Sequence, residues 1–304
     1  MHIEKVYERL AEKIHAQRIR KNEPMAKHTS FKIGGPVDLM VLPSDIEELR
    51  HVLKVCREMG IDFYVMGNGT NLLVRDKGVR GVIIKIGGDY SKVSVQGEII
   101  RAQAGILLSS LSKIALEHHL EGFEFAGGIP GSLGGAVVMN AGAYGGEMKD
   151  IVKAVTVMDL EGNLLRLNNQ ELNFGYRKSR MQEEKWIVLE VEIQLKKGDP
   201  DQILSITRDL TQRRTAKQPL HQPSAGSVFK RPANHYASKL IEDAGLKGVR
   251  FGGARVSELH AGFIVNEDHA TAQDVINLIR LVQKTVRDRF GVLLDLEVKI
   301  IGEE

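Results

Sequence analysis

Between Gly127 and Gly146 the chain reads GGIPGSLGGAVVMNAGAYGG, eight glycines in twenty residues. Glycine at that density does not suit the interior of a long helix or strand, where each one costs about 0.5–1 kcal/mol relative to alanine. It marks backbone that takes positive φ or lets a ligand come close. A mobile surface loop is the ordinary alternative. However, Ile129, Leu133, Val137, Val138 and Met139 interleave with the glycines, where a linker would be polar. A run of exposed backbone N–H groups suits a diphosphate. A second glycine loop, GNGTN at Gly67 to Asn71, follows the apolar run IDFYVM, as a phosphate loop follows a strand. Leu72 stands where a GxGxxG fingerprint needs its third glycine, and no GxxxxGK[ST] occurs. Neither a Rossmann fingerprint nor a P-loop is therefore present.

Around these loops the sequence alternates helical and β-like stretches. MHIEKVYERLAEKIHAQRI places Ile3, Val6, Leu10 and Ile14 on one face of a charged helix, which is not the uninterrupted apolar stretch of a signal peptide. Val37 to Leu42 reads as a strand. The next segment reads as a helix opened by a capping box of Ser44 and Glu47, lined by Ile46, Leu49, Leu53 and Cys56, and closed by Gly60. From about Ser91 the short runs SKVSVQGEIIRAQAG, AVTVMDLEGNLLRL and WIVLEVEIQL carry hairpin turns at Gly97-Glu98 and Gly162-Asn163, with one helix, LLSSLSKIALEHHL. Asp199-Pro200 opens another helix. Beyond it NHYASKLIEDAGLKG and TAQDVINLIRLVQKTVRDRFG read as helices, SELHAGFIVN and VLLDLEVKII as strands. Three α/β units in series are expected.

The bulk numbers mainly exclude. A chain of 304 residues is long for one core. A net charge of +3, from 42 basic and 39 acidic residues, gives no general pull toward nucleic acid. The basic segment 208–231 holds one aromatic, Phe229, so stacking platforms for RNA are scarce. The single cysteine, Cys56, rules out an intrachain disulfide and a Cys-rich zinc site. No metal, no nucleic-acid partner and no membrane insertion are expected, since no stretch has the length and apolarity of a span.

Seven motifs then occur in one order: HTSFKIGGP, GNGTNLLV, the glycine-rich stretch, NFGYRKSR, SAGSVFKRP, HAGFIVN and LDLEVKIIG. From about residue 20 to the C-terminus this order resembles the UDP-N-acetylenolpyruvoylglucosamine reductase (UDP-N-acetylmuramate dehydrogenase) family. Arg177 and Ser227 lie only 50 positions apart, which resembles the family's shorter class, without its extra tyrosine-bearing loop. The resemblance implies an α+β chain. A vanillyl-alcohol-oxidase/PCMH-type FAD-binding region of two α/β subdomains would occupy residues 1–198, with subdomains at about 20–88 and 89–198. An α/β substrate-binding domain would follow at 199–304. It implies a cytoplasmic enzyme, expected to be monomeric, of peptidoglycan precursor synthesis. NADPH reduces FAD, and the flavin then reduces the enolpyruvyl ether of a UDP-sugar to a lactyl ether.

That chemistry needs a hydride at the terminal carbon and a proton at the carbon bearing the carboxylate, with a stabiliser for the charge that develops. By resemblance Arg177 is the catalytic arginine, Ser227 the proton donor and Glu297 the residue that polarises or protonates the intermediate beside Arg177. Read without the motifs, Arg177 sits in a basic turn, Ser227 is a turn serine, and Glu297 belongs to the outward face of a strand together with Asp295 and Lys299. Lys217 is the candidate for the substrate diphosphate; Tyr176, Lys230 and Arg231 also fall in the substrate set. Arg231 stands where the longer class often has Asn. FAD would be held without a covalent link, since GNGTN has no histidine to tether it. From the first loop Gly67, Asn68, Gly69, Thr70, Asn71 and Leu72 would hold it. The glycine-rich stretch would add Gly127, Gly128, Ile129, Pro130, Gly131, Ser132, Gly134, Gly135, Asn140 and Ala143. A sugar or alcohol oxidase of the same fold is the rival, but it gives Arg177, Ser227 and Glu297 nothing to do. G-x-S-x-G is absent, which argues against a hydrolase.

Overall fold

A computed structural model describes residues 2–304. Helices mix with mostly antiparallel strands. The chain divides into two compact units, each assembled from separated stretches. The first comprises the stretch ending at Arg20, Leu39–Asn68 and Gly81–Arg214; the second comprises Lys21–Asp38, Gly69–Arg80 and Thr215–Glu304. Compactness therefore does not follow three consecutive segments. The reason lies in the second core, where Phe31, Ile33 and Leu73 are buried with Val228, Ile264 and Val282. The expected boundary at 198/199 falls just ahead of the helix Pro200–Lys217.

In the first unit a five-stranded antiparallel sheet runs Leu164–Asn168, Val152–Met158, Ile187–Gln194, Ile99–Gln103, Val93–Gln96. Its two anticipated hairpin turns form with Gly97 at φ 62° and Gly162 at φ 93°, the left-handed region that glycine adopts without strain. Val155, Val157, Val191 and Ile193 are fully buried beneath it. Phe63–Met66 pairs in parallel with the strand Val79–Lys85, Phe63 opposite Val82. The helix Ile46–Glu58 begins one residue later than the sequence suggested. Asp45, not Ser44, caps it, accepting from the Glu48 N–H at 2.8 Å. Ser44 instead donates its N–H and hydroxyl to the Glu48 carboxylate at 2.8 and 3.0 Å. Leu49, Leu53 and Cys56 are buried as expected, together with Val52, while Ile46 is half-buried and Glu47 exposed. Burial opposes the charge on Glu48, but hydrogen bonds from Arg18 and Ser44 outweigh it and hold its pKa below the usual carboxylate value.

The second unit has a four-stranded antiparallel sheet in the order Ser224–Ser227, Phe263–Asn266, Ala254–Val256, Arg250–Phe251. The helix Ala272–Phe290 opens with a reciprocal pair, Thr271 accepting from Asp274 N–H at 3.1 Å and Asp274 from Thr271 N–H at 2.9 Å. The strand expected over Val292 to Ile301 forms only at Lys299–Ile301, parallel to Leu72–Val74. Before it, the chain is held by a different neighbour: Lys230 N–H donates to Asp295 O at 2.8 Å and Glu297 N–H to Val228 O at 2.8 Å. A change of partner midway interrupts the ladder. The expected helix around Asn234 to Gly248 is likewise shorter, Ala237–Asp243, ending ahead of Gly245 at φ 71°.

Candidate active site

In the first unit the two glycine loops adjoin. A β-carbon on Gly67 would lie 2.2 Å from Ser132 Oγ, so the bare backbone of Gly67 lets it pass close to the buried Ser132 hydroxyl. The stretch continues into a short helix, Leu133–Val138, set against the sheet. Its Leu133 and Gly134 N–H groups donate to Ile106 O and Ala104 O at 2.9 and 2.8 Å. The expected run of exposed N–H groups is therefore shorter than the glycine count suggests. Gly134 is fixed by packing, since its β-carbon would fall 2.8 Å from that of Ala104. Asn68, Gly128, Pro130 and Gly135 are exposed, while Gly127, Ile129, Gly131 and Ala143 are half-buried. The first loop is divided: Gly67 and Asn68 belong to the first unit, Gly69 to Leu72 to the second. Leu72 is buried in its strand.

Asn140 departs from its expected part. It is fully buried, and its amide is engaged by Gly175 O, Glu147 Oε2 and Lys149 N–H at 2.9, 3.0 and 2.9 Å. No face of this side chain is left for a cofactor. A residue not singled out by sequence, Arg214, lies instead beside the glycines: its Nη1 is 3.2 Å from where a β-carbon on Gly128 would sit. Burial presses its pKa down, though a guanidinium stays charged in proteins. The cluster of basic residues at 208–231 was the signal, but nothing in it separated Arg214 from its exposed neighbour Arg213.

Arg177 sits on a tight turn in which Gly175 and Lys178 exchange N–H···O bonds of 3.0 and 3.2 Å. Its own φ is +54°, an uncommon conformation for a non-glycine residue. Ser179, fully buried, anchors the far side by donating to Val138 O at 2.6 Å. The half-buried Arg177 guanidinium is 5.3 Å from the Tyr176 ring centre and donates to Gly142 O at 3.4 Å. Tyr176 is 51% exposed.

In the second unit Ser227 ends the strand Ser224–Ser227, half-buried, after Gly226 at φ 74°. A β-carbon on Gly262 would meet Ser227 Oγ at 3.6 Å and the His260 ring at 3.0 Å. His260 therefore lines the same spot as Ser227. Its Nδ1 accepts from Gly262 N–H at 3.1 Å and burial lowers its pKa. The Ser227 segment and Glu297 are neighbours through Val228 O, and Glu297 O accepts from Asn71 Nδ2 at 3.1 Å. Glu297 is half-buried whereas Asp295 is exposed, a distinction that the alternating pattern alone does not make. Arg231 stacks 4.0 Å from the Tyr236 ring centre, and Lys217 is exposed at the end of its helix.

A family model described as an FAD binding domain matches residues 37–168. A second, described as the C-terminal domain of UDP-N-acetylenolpyruvoylglucosamine reductase, matches residues 218–301. A protein of that name from Alkaliphilus oremlandii is 55% identical over 300 residues, covering 99% of each chain. The crystal structure of a UDP-N-acetylenolpyruvylglucosamine reductase from Thermus caldophilus superimposes with a TM-score of 0.82 at 35% identity, covering 94% of this chain and 99% of that one. A variant of Phl p 4, a glucose oxidase, aligns over 64% of this chain and 44% of its own, with a TM-score of 0.50 at 14% identity. That last likeness is one of fold alone.

Proposed function

The chain belongs to the UDP-N-acetylenolpyruvoylglucosamine reductase family, and from that premise we propose which of its residues carry the family's reaction. It is an FAD-dependent oxidoreductase with a PCMH-type FAD-binding fold and a C-terminal α/β domain. It reduces UDP-N-acetylglucosamine enolpyruvate to UDP-N-acetylmuramate with NADPH, in peptidoglycan precursor synthesis. Among the described residues no helix is long and apolar enough to cross a membrane. Our reading extends this to a monomer working in the cytoplasm, with residues 1–198 serving mainly the cofactor and 199–304 mainly the substrate, while Arg214 joins the first set and Tyr176 and Arg177 join the second.

The observation that carries the cofactor assignment is the meeting of the two glycine loops. A β-carbon at Gly67 would lie 2.2 Å from Ser132 Oγ, Gly128 and Gly135 are exposed, and the half-buried Arg214 reaches Gly128. Such a cradle fits the diphosphate of FAD. When bound, FAD supplies the carrier that passes hydride from NADPH to the substrate. The loop residues hold it: Gly67, Asn68, Gly69, Thr70 and Asn71, with Leu72 giving backbone only, and Gly127 to Ser132, Gly134, Gly135 and Ala143.

Around the reacting carbons, this chain's residues handle charge and protons. The Arg177 guanidinium clamps the enolpyruvyl carboxylate through paired hydrogen bonds and stays cationic while negative charge grows there. Hydride arrives at the terminal carbon; the Ser227 hydroxyl delivers a proton to the carbon that bears the carboxylate. Glu297 polarises or protonates that centre alongside Arg177. Lys217 takes the substrate diphosphate, with Tyr176, Lys230 and Arg231 lining its path. The direct test is anaerobic: purified yellow protein should bleach with NADPH and recover its colour on addition of the enolpyruvyl UDP-sugar. Colourless protein, or bleached protein that the substrate leaves bleached, would overturn the reading.

A further inference from the structure

Among the bonds that tie the turn carrying Arg177 to the glycine-rich stretch, one comes from a buried amide. Asn140 is fully buried, and its φ of +41° is one that asparagine adopts more readily than most residues. Its Nδ2 donates in two directions, to Gly175 O at 2.9 Å and to Glu147 Oε2 at 3.0 Å. Its Oδ1 accepts from Lys149 N–H at 2.9 Å. Exchanging the amide's two ends would put oxygen against oxygen twice and nitrogen against N–H once. The surroundings therefore allow one orientation. Glu147 is held in turn by the Lys149 ammonium at 2.8 Å. The hydrogen bond from Lys149, aided by that from Asn140 and by the nearby charge of Arg177, keeps the Glu147 pKa below the usual carboxylate value.

We infer that Asn140 and Glu147 are positioning residues for the reduction: the Asn140 amide, oriented by Glu147, holds the Gly175–Lys178 turn and thereby aims the Arg177 guanidinium. The inference rests on the assignment of Arg177 to the substrate carboxylate. Gly175 O is the point of leverage. It accepts both the Lys178 N–H that closes the turn and the Asn140 amide that fixes it to the stretch. A paired guanidinium–carboxylate contact is directional. A turn that shifts by about 1 Å would cost on the order of 10²-fold in rate with no change in the groups present.

The test is a double-mutant cycle read on separate half-reactions. Asn140→Asp keeps the side chain's shape and its acceptor toward Lys149, and removes both donors. In otherwise unaltered holoenzyme it should slow reoxidation of the reduced flavin by the enolpyruvyl UDP-sugar about ten- to hundredfold. Flavin reduction by NADPH should change by less than about twofold, because that step does not use the carboxylate clamp. In an Arg177→Ala background the same Asn140 substitution should add nothing. Slowing of both half-reactions alike, or undiminished slowing in the Arg177→Ala background, would overturn the inference. If Asn140→Asp does not yield flavin-bound protein, Glu147→Ala goes through the same cycle. Glu147→Gln, which keeps an acceptor for Asn140, should restore most of the lost rate, and a Gln variant as slow as the Ala variant would also overturn it. Arg177→Ala alone leaving the substrate step intact would remove the underlying assignment, and that result involves no change at Asn140.

Discussion

Ser227 and Glu297 each have an ordinary alternative, one as a turn hydroxyl and the other as part of a strand face. Both can be separated from it by asking which half-reaction suffers. Ser227→Ala should leave flavin reduction by NADPH nearly unchanged, since no proton from serine is needed there. The substrate step should slow about 10²–10⁴-fold, the scale for losing a general acid. Anaerobic stopped-flow absorbance would show both, and equal losses would instead mean damaged flavin binding. For Glu297 the control lies two residues away. Glu297→Gln should spare FAD content and NADPH oxidation while cutting the substrate step by roughly 10² or more. Asp295→Asn, at an exposed position, should be within about 0.5 kcal/mol of unaltered stability and turn over normally. The reverse pattern would mean that the terminal motif has been placed on the wrong acid.

Among the elements, the glycine loops say most about how far sequence reaches. Their importance was legible from density alone, yet the density has two causes. Gly134 and Gly67 are glycine because protein atoms crowd them, whereas Gly135 is exposed, with only the Ser132 hydroxyl inside van der Waals reach of a β-carbon there. No one-dimensional pattern distinguishes an absent side chain that makes room for Ala104 from one that makes room for a ligand. Strand and helix positions followed from alternation and caps wherever one neighbour serves the whole element, as in Ile187–Gln194. They failed where the neighbour changes midway, as before Lys299, because periodicity records which face is buried and not what covers it. The crowding at Gly67 gives a prediction that isolates this cause. Gly67→Ala should cost about 1–3 kcal/mol, as overpacking usually does, and should reduce the flavin recovered per chain. Adding Ser132→Ala removes the hydroxyl 2.2 Å away and leaves a Cβ at an ordinary 3.5 Å. Thermal unfolding and the flavin-to-protein absorbance ratio should then both return toward the parent values. A double variant as unstable as the single one would show that the Ser132 hydroxyl is not the source of the cost.

For the whole molecule, the question is how one chain accommodates two large nucleotides besides its flavin. The sequence holds no GxGxxG fingerprint and no P-loop that could serve NADPH separately. Both co-substrates carry a diphosphate, and the segment 208–231 carries six Lys or Arg residues against one acid, Asp209. We therefore propose that NADPH and the UDP-sugar use the same pocket in turn, each meeting the flavin without the other. That economy dictates the kinetics. Neither co-substrate needs the other to be present, so double-reciprocal plots against one, at several fixed levels of the other, should be parallel lines. Each co-substrate at high concentration should also inhibit competitively against the other, since it occupies the pocket when the flavin is in the wrong redox state for it. Lys217→Ala, which removes the charge proposed to meet the shared diphosphate, should raise KM for both co-substrates together and leave the parallel pattern intact. Intersecting lines, or a Lys217 variant that weakens the UDP-sugar alone, would require a second nucleotide site elsewhere on the chain.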